Sequence, residues 1–222
     1  DEILENLITD KSGIYVDATV GYGGHAYGIL NKLNPEGKLI GTDRDKEALK
    51  VAKTNLKRFD NQLILENLKF SELENFLKQK NITQVSGFLF DLGIGSWQID
   101  SPERGFSYLK EGPLDMRMDQ WETLTAYDVV NSYSEEKFAW IFKNYGEEKL
   151  AKKIAKVIKN AKKEIKTTLD LRKILESVVP RNLVKTLARI FQAIRIEVNQ
   201  ELEELKKGIE TAVKFLKPQS RL

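Results

Sequence analysis

An alternation limits what this chain can become more than any other feature. Over residues 14–91, short β-rich runs and helical stretches take turns, and the first run ends in a cluster of glycines. Residues 14–20 (Ile-Tyr-Val-Asp-Ala-Thr-Val) read as a strand, and a helix can follow from His25 to about Leu33. Asn34-Pro35-Glu36-Gly37 is turn chemistry. Residues 38–43 read as a second strand and 46–59 as a helix; 62–66 as a third strand and 71–80 as a helix with Ser71 at its N-cap; 87–91 as a fourth strand. A helix between successive strands lets them lie side by side and parallel, so the pattern predicts an α/β fold with a mostly parallel, doubly wound sheet.

Past residue 91 the rhythm stops. Residues 92–120 are rich in Gly, Ser, Pro and charge and show no period, and a loop of that length in a compact domain usually serves function. The remainder reads as helical. Ser134 caps a helix with Glu135 and Glu136 in its first turn, and Leu150, Ile154, Val157, Ile158 and Ala161 form an apolar stripe. Thr167 and Asp170 pair as a cap before residues 171–179, Pro180 stops that helix, and residues 186–216 form one more. Phe215-Leu216-Lys217-Pro218 closes it, and Arg221-Leu222 reads as the first step of a further strand. Four strands are few for a doubly wound sheet. The expectation is therefore a core, residues 1–109 and 186–222, truncated at its C-terminal strands and interrupted by an all-α insertion at 110–185.

Composition narrows the chemistry. An apolar content of 41% supports a packed core, and the absence of cysteine removes disulfides and thiolate metal ligands. With His25 as the only histidine, no transition-metal site is expected. There is no apolar run of about 18 residues and no leader pattern at Asp1-Glu2-Ile3-Leu4, which leads to the expectation of a cytoplasmic protein that avoids membranes. The net charge of +3 is mild, but Lys149, Lys152, Lys153, Lys156, Lys159, Lys162, Lys163 and Lys166 stand against the single acid Glu164. They form either a solvated helix face or a phosphate-facing patch.

Three strand ends carry candidate chemistry. Gly21-x-Gly23-x-x-Ala26 satisfies the loose dinucleotide pattern, where missing Cβ atoms let a ligand approach the backbone. Asp43 follows about 20 residues later, where an acid accepts from ribose hydroxyls; the neighbouring Asp45 is suited to cap the next helix. Asp91 ends strand four and opens Leu92-Gly93-Ile94-Gly95-Ser96-Trp97-Gln98, a loop able to close over a ligand; an ordinary helix-capping Asp is the alternative. His25, at a helix start, suits a cofactor-lining role.

These motifs together resemble the ribosomal RNA small subunit methyltransferase H family. The resemblance is carried by Asp17-x-Thr19-x-Gly21-x-Gly23-Gly24-His25 and Asp43-Arg44-Asp45. It extends through Asp91-Leu92-Gly93, Gln98-Ile99-Asp100, Glu103-Arg104-Gly105-Phe106-Ser107 and Gly112-Pro113-Leu114-Asp115-Met116-Arg117-Met118-Asp119. The late segment Phe191-Gln192-Ala193-Ile194-Arg195-Ile196-x-Val198-Asn199-x-Glu201-Leu202 belongs with them. The resemblance implies a Rossmann-like class I methyltransferase core that binds S-adenosyl-L-methionine and methylates the exocyclic N4 amine of a cytidine in 16S ribosomal RNA near the decoding centre. It places Gly23, Gly24, His25, Asp43, Phe70, Asp91 and Gln98 against the cofactor. One departure is local: Gly95-Ser96-Trp97 stands where many members carry Ser-Ser-Pro.

The expected chemistry is in-line displacement at the sulfonium methyl, with Asp91 or a backbone carbonyl of residues 92–96 accepting from the amine. The base must be unpaired or flipped out to react. Trp97, Arg104, Arg117 and Arg195 are candidates for RNA stacking and contacts, each arginine also being a candidate ion-pair partner. The helical insertion would wall the RNA cleft. The partner is ribosomal RNA or the assembling small subunit, and the oligomeric state stays open, a homodimer included. Two rivals are a nicotinamide-dependent oxidoreductase, which fits the glycine loop and Asp43 but leaves residues 91–119 without a purpose, and a non-catalytic RNA-binding assembly protein.

Overall fold

The computed structural model of the protein describes residues 2–179 and 182–222, so the stop ascribed to Pro180 lies outside the described residues. Helix α1 (Glu2–Leu7) precedes strand β1 (Ile14–Asp17), α2 (Gly24–Lys32), β2 (Lys38–Asp43) and α3 (Lys46–Asn55). Strand β3 (Leu63–Asn67), α4 (Leu73–Gln79) and β4 (Val85–Leu89) follow. A helical run comes next: α5 (Ser96–Asp100), α6 (Ala126–Ser132), α7 (Glu135–Asn144), α8 (Ala151–Lys159), α9 (Thr168–Val178), α10 (Leu183–Asn199) and α11 (Glu201–Phe215). Strand β5 (Leu216–Arg221) comes last. The chain divides into two compact units, one taking in the chain up to Gly93 together with Leu202–Leu222, the other Ile94–Glu201.

The first unit is built on a sheet in the order β3-β2-β1-β4-β5, every neighbouring pair parallel. Consecutive strand residues point to opposite faces. Tyr15 and Leu39 accordingly join Leu4, Leu7, Ala26, Ile29, Leu30, Ala52 and Leu56 of the α1–α3 side. Val16, Ile40 and Phe88 join Leu73, Phe76, Leu77, Ala212 and Phe215 from α4 and α11. Each fully buried side chain of this size stabilises by roughly 1.5–3 kcal/mol. The order reverses beside β1: β2 lies on one flank, β4 on the other. In such sheets ligands bind outside the carboxyl ends of the strands at that reversal.

Several local expectations shift. Strand five is six residues long rather than a first step at Arg221, and Pro218 is tolerated because β5 pairs on one side only. Strand four starts and ends two residues early. Ser71 is not an N-cap: Phe70–Glu72 form a 3-10 turn, and the Ser71 N–H donates to Glu204 at 2.9 Å.

The second unit has its own core, drawn from Phe138, Phe142, Ile154, Leu171, Leu175, Ile190 and Ile194. Its bounds are wider than the expected 110–185. Phe106 before that range and Leu187, Phe191 and Val198 after it are buried in the same cluster, so packing recruits both flanks. The single helix expected over residues 186–216 is two, because Gln200 turns left-handed with φ 50° between α10 and α11. The caps of α7 and α9 are as read: Ser134 accepts from the Lys137 N–H, and Thr167 exchanges hydrogen bonds with Asp170. Leu150 leaves the predicted stripe, being 41% exposed ahead of α8.

Candidate active site

At the end of β1 the chain is pinned between its neighbours. The Ala18 N–H donates to Leu89 O of β4 at 2.9 Å, and the Val20 N–H donates to Thr42 O of β2 at 2.9 Å. The loop then tightens with Gly21 at φ 51° and Gly23 at φ 91°, and the Gly23 N–H donates to Val20 O at 2.7 Å. A Cβ on Gly23 would sit 2.9 Å from Leu56 Cδ1, whereas one on Gly24 would meet open space. Gly23 caps α2 without a side chain. The first N–H groups of α2 therefore face outward as donors, at the positive end of the helix dipole.

Asp43 and Asp45 separate cleanly. Asp45 is buried and caps α3, accepting from the N–H groups of Glu47 and Ala48 at 3.0 and 3.5 Å. Asp43, half-buried at the end of β2, accepts from Gly21 N at 2.8 Å on Oδ2 and from Asp45 N at 2.9 Å on Oδ1. It ties the glycine loop to β2 and keeps lone pairs for further donors. Burial pushes its carboxyl up, against the two backbone hydrogen bonds.

Asp91 sits just past β4. Its N–H donates to Thr19 Oγ1 at 2.7 Å, which joins the two loops flanking the reversal. Its side chain is 63% exposed, and its Oδ2 lies 3.4 Å from His25 Nε2 on the first turn of α2. His25 is thus a neighbour of the most accessible acid in the crevice.

Phe70 stands after β3, at the start of a 3-10 turn. Its ring meets Phe90 edge-on at 5.2 Å between centroids, and α11 approaches both rings through Gly208. A Cβ there would lie 2.9 Å from Phe90 Cε1 and 3.0 Å from Phe70 Cβ. Phe90 and Gly208 carry no sequence signal of their own.

The profile of the MraW methylase family matches residues 1–222. The chain belongs to that family. A protein named ribosomal RNA small subunit methyltransferase H from Caldicellulosiruptor saccharolyticus is 48% identical over 226 residues, covering 100% of this chain and 73% of the relative. Proteins of the same name from Clostridium botulinum (Loch Maree, type A3) and Halothermothrix orenii are 45% and 46% identical with the same coverage. Among solved structures, a putative rRNA-methylase from Clostridium thermocellum overlaps 51% of this chain and 63% of its own at 17% identity, with a TM-score of 0.37. Membership of a methylase family decides the ambiguity of the glycine loop against the oxidoreductase reading.

In this MraW methylase the predicted residues fall into two groups. Gly23, Gly24, His25, Asp43, Phe70 and Asp91 all lie in the sheet unit. Gln98, Trp97, Arg104, Arg117 and Arg195 lie in the helical unit, where each arginine has partners within that unit. Arg104 is 4% exposed and donates from Nη2 to Arg117 O and Met118 O, at 3.0 and 3.1 Å. Arg117 forks onto Asp115, at 2.9 and 2.6 Å, and spends Nη1 on Gln120 O and Glu122 O. Arg195 forks onto Glu201 at 2.8 and 3.0 Å. These guanidiniums are held by partners within their own unit, where they shape loop and helix ends.

Gln98 is buried and accepts from the Gly95 N–H at 3.0 Å, closing the start of α5. Gly95 is explained by Trp97: a Cβ on Gly95 would lie 2.5 Å from the indole Nε1, so the departure from Ser-Ser-Pro is a matched pair. Trp97 remains half-buried, with Arg104 Cζ 5.3 Å from its ring centre. Sequence reasoning gave no role to Asn199 or to Asp17. Asn199 accepts from Met118 N at 2.8 Å and donates to Met116 O at 2.7 Å, holding the left-handed Met116 in place. Asp17 is 1% exposed beneath the glycine loop, and its position on a strand end inside the motif was the available signal.

Proposed function

We propose that this protein transfers a methyl group from S-adenosyl-L-methionine to the exocyclic N4 amine of a cytidine in small-subunit ribosomal RNA, free or within the assembling subunit. The observation that carries the cofactor half is the set of groups gathered at the carboxyl ends of β1, β2 and β4. The outward N–H groups of α2 suit a carboxylate, Asp43 suits a ribose diol, and the open space above Gly24 admits a ligand. Phe70 offers a face for adenine, and the carboxyls of Asp17, Asp43 and Asp91 suit a cation. The cofactor supplies an already activated methyl group, so alignment is the main task left to the protein.

Asp91 is assigned the acceptor role. A cytosine amine is a weak nucleophile because its lone pair is delocalised into the ring. A carboxylate accepting one amine N–H localises that pair as the new C–N bond forms and then takes the proton. The exposure of Asp91 and its anchoring through Thr19 suit this, and His25 beside it holds the carboxylate in orientation.

In the helical unit, Lys149, Lys152, Lys156, Lys159, Lys162 and Lys163 are exposed, while Ala151, Ile154, Ala155 and Ile158 bury the other face of α8. We assign this basic surface to RNA phosphates and Trp97 to stacking on a base. Transfer of labelled methyl groups to immature small subunits and to naked small-subunit RNA tests the reading. Wild-type protein should label one cytidine and Asp91→Ala should lose the activity while still binding the cofactor; labelling of protein or lipid alone would sink it. Among the described residues no helix is long and apolar enough to cross a membrane.

A further inference from the structure

Asp17 enters the scheme above only as one of three negative carboxyls, yet it is the least exposed acid of the crevice. It ends β1 in register with Leu89 of β4, beside the order reversal. Its Oδ1 accepts from the Thr19 N–H at 3.1 Å, and its Oδ2 is buried with no hydrogen-bond partner. A buried carboxylate oxygen without a partner is costly, and the chain keeps one under its glycine loop. The charged groups acting on it are His25 from α2, Asp43 from β2 and Asp91 from the loop after β4. Asp43 differs in having a backbone N–H on each oxygen.

We propose that Asp17 sets the charge of the cofactor site by exchanging a proton with solvent: it is a carboxylate when the cationic methyl donor is bound and a carboxylic acid when the neutral thioether product is bound. The proposal rests on the reading that this crevice binds S-adenosylmethionine. Its physical basis is that the two ligands differ by one positive charge at sulfur while sharing the rest of their structure. A positive charge brought near a buried carboxyl favours its ionised form, and removing the charge reverses this. Burial pushes Asp17 up to about 7, with Asp43 and Asp91 adding to the rise and the Thr19 hydrogen bond and His25 opposing it, so the exchange falls in the working range of pH. The site would then hold the donor more tightly than the product, and more so as pH rises. Asp17 is a buried specificity-determining residue acting through charge.

Calorimetry on the full chain tests this without a turnover assay. S-adenosylmethionine and S-adenosylhomocysteine are titrated separately in buffers of differing ionisation enthalpy, at about pH 6, about pH 7 and about pH 8. Wild-type protein should release a fraction of a proton on binding the first and less on binding the second. The ratio of the two affinities should grow about fivefold or more from about pH 6 to about pH 8. Asp17→Asn should flatten that ratio and abolish the difference in proton release. Equal proton release for the two ligands in the wild-type protein overturns the proposal even if Asp17→Asn fails to fold. Binding of neither ligand overturns the cofactor reading as well, so the two failures are told apart.

Discussion

Asp17 also leaves a mark on stability. Its carboxyl is raised from 3.8 to about 7, so the folded chain keeps a proton that the unfolded chain gives up from about pH 4 onward. Stability contributed by this group is therefore present below about pH 4, is lost as pH rises to about 7, and changes little beyond. At about 1.4 kcal/mol per pH unit the loss is on the order of 4 kcal/mol. Asp17→Asn cannot ionise, and it should melt higher than wild type at about pH 8 and show a flatter stability curve between about pH 4 and about pH 7. Urea denaturation across that range checks it; a parallel downward offset at every pH would contradict it. Arg117 poses a different residue-scale question, because the sequence leaves it open between RNA and an ion pair within the protein. The fork onto Asp115 and the two carbonyls predict that Arg117→Lys, which keeps the charge, costs about 1–3 kcal/mol of stability. An RNA-contacting arginine would instead leave the melting temperature alone and weaken RNA binding.

At the scale of elements, α11 and α8 carry the sharpest expectations. Gly208 lets α11 lie against Phe70 and Phe90, and the atoms a Cβ would meet are ring and side-chain carbons packed from two directions. Gly208→Ala should cost about 1–3 kcal/mol and displace Phe70, raising the dissociation constant for S-adenosylmethionine more than it changes the methyl-transfer rate at saturation. On α8, reversing the charge of Lys152, Lys156 and Lys159 should weaken RNA binding and flatten the slope of log affinity against log salt by roughly 2. An unchanged slope would leave these lysines as a solvated helix face. The same scale shows what sequence can deliver. The strands β1 to β4 were legible because short β-rich apolar runs bounded by turn residues mark them locally. The glycine loop, Asp43 and Asp91 were legible because their chemistry requires fixed positions on strand ends. Strand β5 was not, since Pro218 and Lys217 hide a strand whose identity comes from pairing with β4. The break at Gln200 was also hidden, because a left-handed glutamine has no sequence mark, and so were the carbonyl partners of Arg104 across the 104–118 loop and the fork of Arg195 onto Glu201 across that break.

The whole molecule is two cores on one chain, and the division follows packing more closely than it follows the pattern of motifs. The stretch 91–119 that carries the resemblance straddles the boundary at Gly93, and the late motif, Phe191 to Leu202, lies in the helical unit but for its last residue. Every buried member of that unit's core, from Phe106 to Val198, comes from one uninterrupted segment. Its loops close on themselves: Arg104 on residues 117 and 118, Asn199 on Met116 and Met118, and Asn131 on Ile165. A segment that supplies its own core and closes its own loops meets the requirements of an independent folding unit. The sheet unit differs, because α11 and β5 return to it across the whole inserted segment and must close a long loop at an entropic cost. Residues 94–201 expressed alone should therefore unfold cooperatively, with coincident helical and tryptophan signals. If α8 is the phosphate-binding element, that fragment should bind small-subunit RNA with the same lysine dependence as the full chain while binding no S-adenosylmethionine. A broad, probe-dependent melt would mean that the helical core borrows its stability from the rest of the chain, and the two-core description would have to be abandoned.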